Sequence, residues 1–238
     1  MNCAILVVGS LLWEGGLRQH WRDRRLQLEK RQVVSAPIRY GRRSVTRADT
    51  FTMVIDPSTS SGDAILVPCI RSVETIGDLV EEAEALWRAE RKVADGEGIS
   101  AKWGCVGAFF SPDGLDNHVE IAWSSYFRSK ASPILPIDEA GILSIPWPVG
   151  AADGTPADVD IILAAATRAD ADRPTVPQIA DAWIGQDKSE ERYFFLNVQH
   201  GIRTAEDSEI AARMAKQSPA WLERGSYSSV LKQLSSEE

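Results

Sequence analysis

The chain opens on an unbroken apolar run, Ala4-Ile5-Leu6-Val7-Val8, which stops at Gly9-Ser10 and resumes with Leu11-Leu12-Trp13. Consecutive aliphatic residues bounded by glycine predict a strand covered on both faces that delivers a tight turn. Gly9 admits backbone geometry that a Cβ would obstruct, and Ser10 adds a small donor and acceptor. Such a turn is either plain architecture or a set of amides presented to an anion. Between Trp13 and Lys30 no period is clear, and the charged part from Gln19 to Glu29 reads as a short helix or a long connection. Val33, Val34, Ile38 and Tyr40 lead into Arg42 to Arg47, and Phe51 to Ile55 alternates, so two strands are predicted. After a turn region, Asp56 to Asp63, the run Ala64 to Ile70 predicts another, with Pro68 marking an edge or a bulge.

A helix follows. Thr75 with Asp78 three residues on forms a capping pair. Ile76, Leu79, Val80, Ala83, Leu86, Trp87 and Ala94 keep helical spacing, and Asp95-Gly96 with Gly98 stops it. Lys102 to Phe110, a turn at Ser111 to Gly114, and His118 to Trp123 then predict a hairpin. Strands, one main helix and more strands give an α+β domain over residues 1–130, with a small mixed sheet curved or closed into a barrel. Residues 131–150 are a connector rich in proline and glycine. Beyond it, Asp158 to Arg168, Val176 to Ile184, Glu190 to Ile202 and Glu206 to Ala215 predict a helical extension over 151–238, with Thr204 and Asp207 as a second cap-like pair. Its aromatics, Trp183, Tyr193, Phe194, Phe195 and Trp221, need burial, so the extension is expected to pack on the barrel.

Composition narrows the function classes. At 238 residues the chain has room for a sizeable core, and 44% hydrophobic with 25% charged residues is ordinary for a globular protein. A net charge of −8 argues against nucleic acid as the main partner. The first fifty residues are nonetheless basic, from Arg18 through Arg47, which is either a solvated face or a docking place for an anionic metabolite. No apolar run is long enough for a membrane span and no signal peptide is apparent, so a cytoplasmic location is expected. Cys3, Cys69 and Cys105 lie in strand-like contexts and read as buried thiols. The scattered His20, His118 and His200 lack zinc-ligand spacing, so no metal is expected.

One charged residue is left unexplained by its helix. At about 100° per residue, Glu90 falls inside the apolar arc of Leu79, Ala83, Leu86 and Trp87. A carboxylate there must be paired, hydrogen-bonded or poised at a cavity, where desolvation raises its pKa toward that of a useful base. Two readings stand: Glu90, near the helix end, escapes to solvent or pairs with an arginine such as Arg47, or it is a general base.

With these residues assembled, the segment from about 4 to 125 resembles the gamma-glutamylcyclotransferase-like family, which includes the AIG2 and ChaC branches. The resemblance is carried by Gly9-Ser10-Leu11 after the first strand, Arg43-Ser44 with Arg47, the Gly-led strand from Gly62 to Ile70, and Leu86 four residues before Glu90. It implies a small β-barrel, Glu90 as catalytic base and a substrate-binding loop around Val8, Gly9, Ser10, Leu11 and Leu12, with Ser44 and Arg47 nearby. The implied reaction cyclises a γ-glutamyl amine or peptide to 5-oxoproline without a cofactor. Val8, Trp87 and Arg91 depart from the family's Tyr, Asp and Gly at those positions. They favour the alternative, a small-molecule-binding or protein-interaction module that keeps the fold without turnover.

Overall fold

The first strand, β1 (Cys3–Val7), is buried at every position, as an uninterrupted aliphatic run requires when both faces are covered. The computed structural model describes residues 1–112, 117–184, 191–217, 228–230 and 234. Trp221 and the end of the turn near Gly114 lie outside the described residues. After β1 the chain forms a short 3-10 turn, Gly9–Leu11, and then α1 (Leu17–Arg25). The stretch read as helix or connection is therefore a helix. Next come β2 (Gln32–Ala36), β3 (Ile38–Ser44), β4 (Thr50–Ile55) and β5 (Gly62–Pro68). Helix α2 (Ile76–Arg91) precedes the short β6 (Ser100–Ala101) and β7 (Gly104–Phe110). Helix α3 (Asn117–Lys130), strand β8 (Ile161–Thr167) and helices α4 (Val176–Ile184), α5 (Glu191–Gln199) and α6 (Asp207–Gln217) follow.

The architecture is mixed α+β, and the sheet does not close into a barrel. Six strands run in the order β2-β5-β1-β8-β7-β6, while β3 and β4 pair only with each other. All pairings are antiparallel except β1 with β8. The ribbon β3–β4 breaks register between Tyr40 and Arg42, at Gly41. A Cβ on Gly41 would stand 2.7 Å from Val54 Cγ2, so the irregularity sits where only glycine fits.

Three sequence expectations need correction. Asp158 to Arg168 was expected to be helical, yet Ile161–Thr167 is β8, in the middle of the sheet between β1 and β7. Alanine at 164, 165 and 166 favours a helix in isolation, but pairing on both sides and nearly complete burial decide otherwise. The part of the chain after residue 150 is thus not wholly helical. Conversely, His118 to Trp123 was expected to be a strand and belongs to α3. Val119, Trp123 and Phe127 are all fully buried at four-residue spacing, a period that emerges only when the window extends past Trp123. Pro68, finally, closes β5 inside the sheet rather than on an edge.

Other expectations hold. The capping box at Thr75 and Asp78 forms, with each side chain accepting from the other's backbone. The expected end of α2 is corrected: the helix stops at Arg91, three residues before Ala94, because Lys92 adopts a left-handed conformation with φ of 55°. Cys3, Cys69 and Cys105 are buried free thiols. Trp183, Tyr193, Phe194 and Phe195 are buried, and α4 lies against β4 and α6. Thr204 donates to Asp207 Oδ1 at 2.5 Å beside the start of α6. Asp207 is 1% exposed, and burial pushes its carboxyl up to about 7 against the hydrogen bonds from Thr204. Among the described residues no helix is long and apolar enough to cross a membrane.

Candidate functional site

The turn after β1 is tight because Gly9 has φ of +68° and because Tyr193 stands directly over it. A Cβ on Gly9 would meet the Tyr193 hydroxyl at 2.4 Å. That hydroxyl accepts a hydrogen bond from the backbone of Met53 at 3.2 Å, so α5 and β4 together roof the turn. Trp13, just past it, lies edge-on to Tyr193 and donates through its indole to Asn197 Oδ1 at 2.8 Å.

Arg18, on the first turn of α1, ties this turn to the end of α2. It is 5% exposed. Its guanidinium donates to the Ser10 hydroxyl and to Glu14 Oε2, the latter at 2.8 Å. It also reaches Glu90 Oε2 at 3.0 Å, the Glu90 carbonyl at 3.1 Å and the Ala89 carbonyl at 3.1 Å. The last two acceptors belong to the negative end of the helix, where a cation is favoured. Arg47 adds a second cation, donating to Ser10 at 3.2 Å and to Glu14 at 2.9 Å, with its guanidinium 4.9 Å from the Tyr193 ring centre. Lys92 bonds Glu14 from the other side.

The two carboxylates respond differently. For Glu14, burial works to raise the pKa, but the bond from Lys92 and the charges of Arg18 and Arg47 hold it below its ordinary value. For Glu90, burial wins and the pKa is raised, with Arg18, Arg42, Lys92 and Arg47 opposing. Glu90 keeps 17% side-chain exposure and therefore has a route to a ligand. It faces a cavity of about 300 Å³, at the low end of the range for small-molecule sites.

The cavity wall includes the expected Val8, Leu11, Ser44, Arg47 and Glu90. Ser10 touches it through Arg18 and Arg47. Gly9 lies under Tyr193, and Leu12 is a core residue at 6% exposure, so neither belongs to the wall. Glu90 pairs with Arg18, where the sequence had offered Arg47. Trp87 is a core residue packed on Trp103 with ring centres 4.9 Å apart.

Sequence reasoning missed Arg18, Arg42, Lys92, Trp103 and Tyr193 as wall residues. Glu14 and Arg18 four apart did carry a signal, the spacing of a helical ion pair. Nothing local marked Tyr193, which arrives from a helix far along the chain. The Cys105 thiol is fully buried, and that burial pushes it up to about 11. Among the described residues no cluster of three His, Cys, Asp or Glu side chains has metal-binding geometry.

Fold and site together define an α+β protein with an open sheet and a basic, half-open cavity holding one carboxylate of raised pKa. Comparison with family models, characterised proteins and solved structures finds no significant match.

Proposed function

We propose that this chain is a gamma-glutamylcyclotransferase-like enzyme that cyclises a γ-glutamyl amine or peptide to 5-oxoproline. The observation that carries the reading is that Leu11, at the end of the turn, and Glu90 line one cavity, with Arg18 joining Ser10 of that turn to Glu90. The α-carboxylate of the substrate docks by the turn against Arg47. Glu90, deprotonated, takes a proton from the α-ammonium, and the freed amine attacks the γ-carbonyl carbon, its second proton passing to the leaving nitrogen as the lactam N–H forms. The new C–N bond closes the ring, the amide C–N bond breaks, and the leaving amine receives the proton from Glu90. Holding amine and carbonyl within one bound molecule supplies most of the acceleration, and proton transfer about 10² to 10⁴-fold more. The compartment that fits buried free thiols is the cytoplasm.

Incubation with a panel of γ-glutamyl compounds is expected to release 5-oxoproline, and Glu90→Gln to lower the rate at least about 10²-fold. No product from any compound, or an undiminished rate in the variant, removes the proposal. Because burial raises the Glu90 pKa, kcat/KM is expected to rise with pH through a point above that of an ordinary glutamate.

A second reading has its own support. Arg18 already occupies Glu90 Oε2, and Trp87 and Val8 stand where the family has Asp and Tyr. On that reading the cavity binds an anionic metabolite without turnover.

A further inference from the structure

The cavity holds more positive charge than a γ-glutamyl head can use. Arg18, Arg42, Arg47, Arg91 and Lys92 line it, against Glu90 in the wall and Glu14 behind Arg18, Arg47 and Lys92. Five cations against two carboxylates leave an excess of three. A γ-glutamyl head carries one carboxylate and one ammonium and cancels none of that excess.

The surplus is also localised. Arg18, Arg47 and Lys92 are ion-paired, whereas Arg42 and Arg91 have no ion pair with any described residue. Arg42 is held in place by stacking. Its guanidinium lies 4.7 Å from the centre of the Trp103 ring, which in turn packs on the buried Trp87. A guanidinium laid on an aromatic face keeps its N–H edge free for an oxyanion and loses little freedom on binding one. Ser44 and Thr46 also line this cavity, and because their hydroxyls bond each other at 3.2 Å one O–H remains to offer.

We propose that Arg42 and Arg91 form a second subsite for a doubly charged anion, a phosphate monoester carried on the far end of the ligand. Phosphate fits because it brings close to two negative charges at neutral pH and three strong acceptor oxygens, which a guanidinium can engage in pairs. The assignment of the other end of the ligand to a γ-glutamyl group rests on the function proposed above. The phosphate subsite rests on the charge balance of the cavity and on Arg42 and Arg91, which line it without an ion pair to any described residue.

The test is calorimetric titration of the full chain with γ-glutamyl-O-phosphoethanolamine, γ-glutamylethanolamine, γ-glutamylglycine and O-phosphoethanolamine. The phosphorylated γ-glutamyl compound is expected to bind at least about tenfold more tightly than γ-glutamylethanolamine, as one charge-assisted contact provides. The advantage should shrink with added salt. It should also disappear in Arg42→Gln, read as the ratio of the two compounds' affinities measured within that variant. The surface variant Arg91→Gln is expected to lose part of it. Equal affinity for the two ethanolamine compounds overturns the subsite, as does an advantage that survives both substitutions. A γ-glutamylglycine complex as tight as the phosphorylated one overturns the double charge. Binding of O-phosphoethanolamine in an Arg42-dependent way, with no 5-oxoproline formed from any compound, keeps the subsite and removes the cyclotransferase. Equal 5-oxoproline release and affinity with and without phosphate does the reverse. Failure of all four compounds to bind at millimolar concentration also overturns the subsite.

Discussion

Gly9 carries two constraints at once, a positive φ and the Tyr193 hydroxyl where its side chain would be. Either alone disfavours substitution. Gly9→Ala is therefore expected to destabilise the fold by about 1 to 3 kcal/mol and to displace Tyr193 from Met53. Chemical denaturation gives the first quantity, and the change in tyrosine and tryptophan fluorescence around Trp13 and Tyr193 reports the second. A variant as stable as the parent would show that the turn and Tyr193 are not in contact. At this same scale the sequence was informative about Glu90, since a carboxylate on an apolar arc is costly wherever it lies. It was silent about Arg18 as its partner, because a guanidinium's reach of several bonds lets many arginines compete for one carboxylate.

At the scale of elements, β8 decides how the chain holds together. It pairs with β1 on one side and β7 on the other, so the sheet cannot be assembled from the first 150 residues. A chain ending at residue 150 would expose the edges of β1 and β7 and lose the wall residues Ala165 and Thr167 and, from α5, Tyr193. Such a fragment is expected to aggregate or to lack a cooperative thermal transition, measured by circular dichroism. A soluble, cooperatively melting fragment would contradict the central place of β8. Helix α2, by contrast, was legible at its start and along its buried face, because cap and apolar arc agree along one local stretch, while its end comes at Lys92, ahead of the Asp95-Gly96 breaker. The β8 segment misleads for the opposite reason: three alanines carry helix propensity, and only neighbours distant in sequence override it.

Across the whole molecule, the charge distribution sets how stability depends on pH. Asp207 is buried, with its carboxyl raised from an ordinary 3.8 to about 7. Between these two values the folded chain holds a proton that the unfolded chain releases. The stability tied to the protonated group is complete below the unfolded value and is lost as pH rises through about 7. At most roughly 4 kcal/mol is involved, from a shift of about three units at 1.36 kcal/mol each. Asp207→Asn keeps the shape without the charge. It is expected to be more stable than the parent at pH 8 and to have a urea midpoint nearly flat between pH 5 and 8. A parent midpoint that does not fall between those pH values would refute the assignment.

What the sequence determined by itself is the set of local structures whose cause is local. The buried first strand, the Gly9 turn, the capped helix and the inward-facing Glu90 all follow from residues within a few positions of one another. The tertiary structure alone decided that the sheet stays open, that β8 lies at its middle, and that Arg18, Arg42, Lys92, Trp103 and Tyr193 gather around Glu90. Those outcomes depend on pairing and packing between segments far apart in the chain, which local propensity and hydrophobic period do not encode.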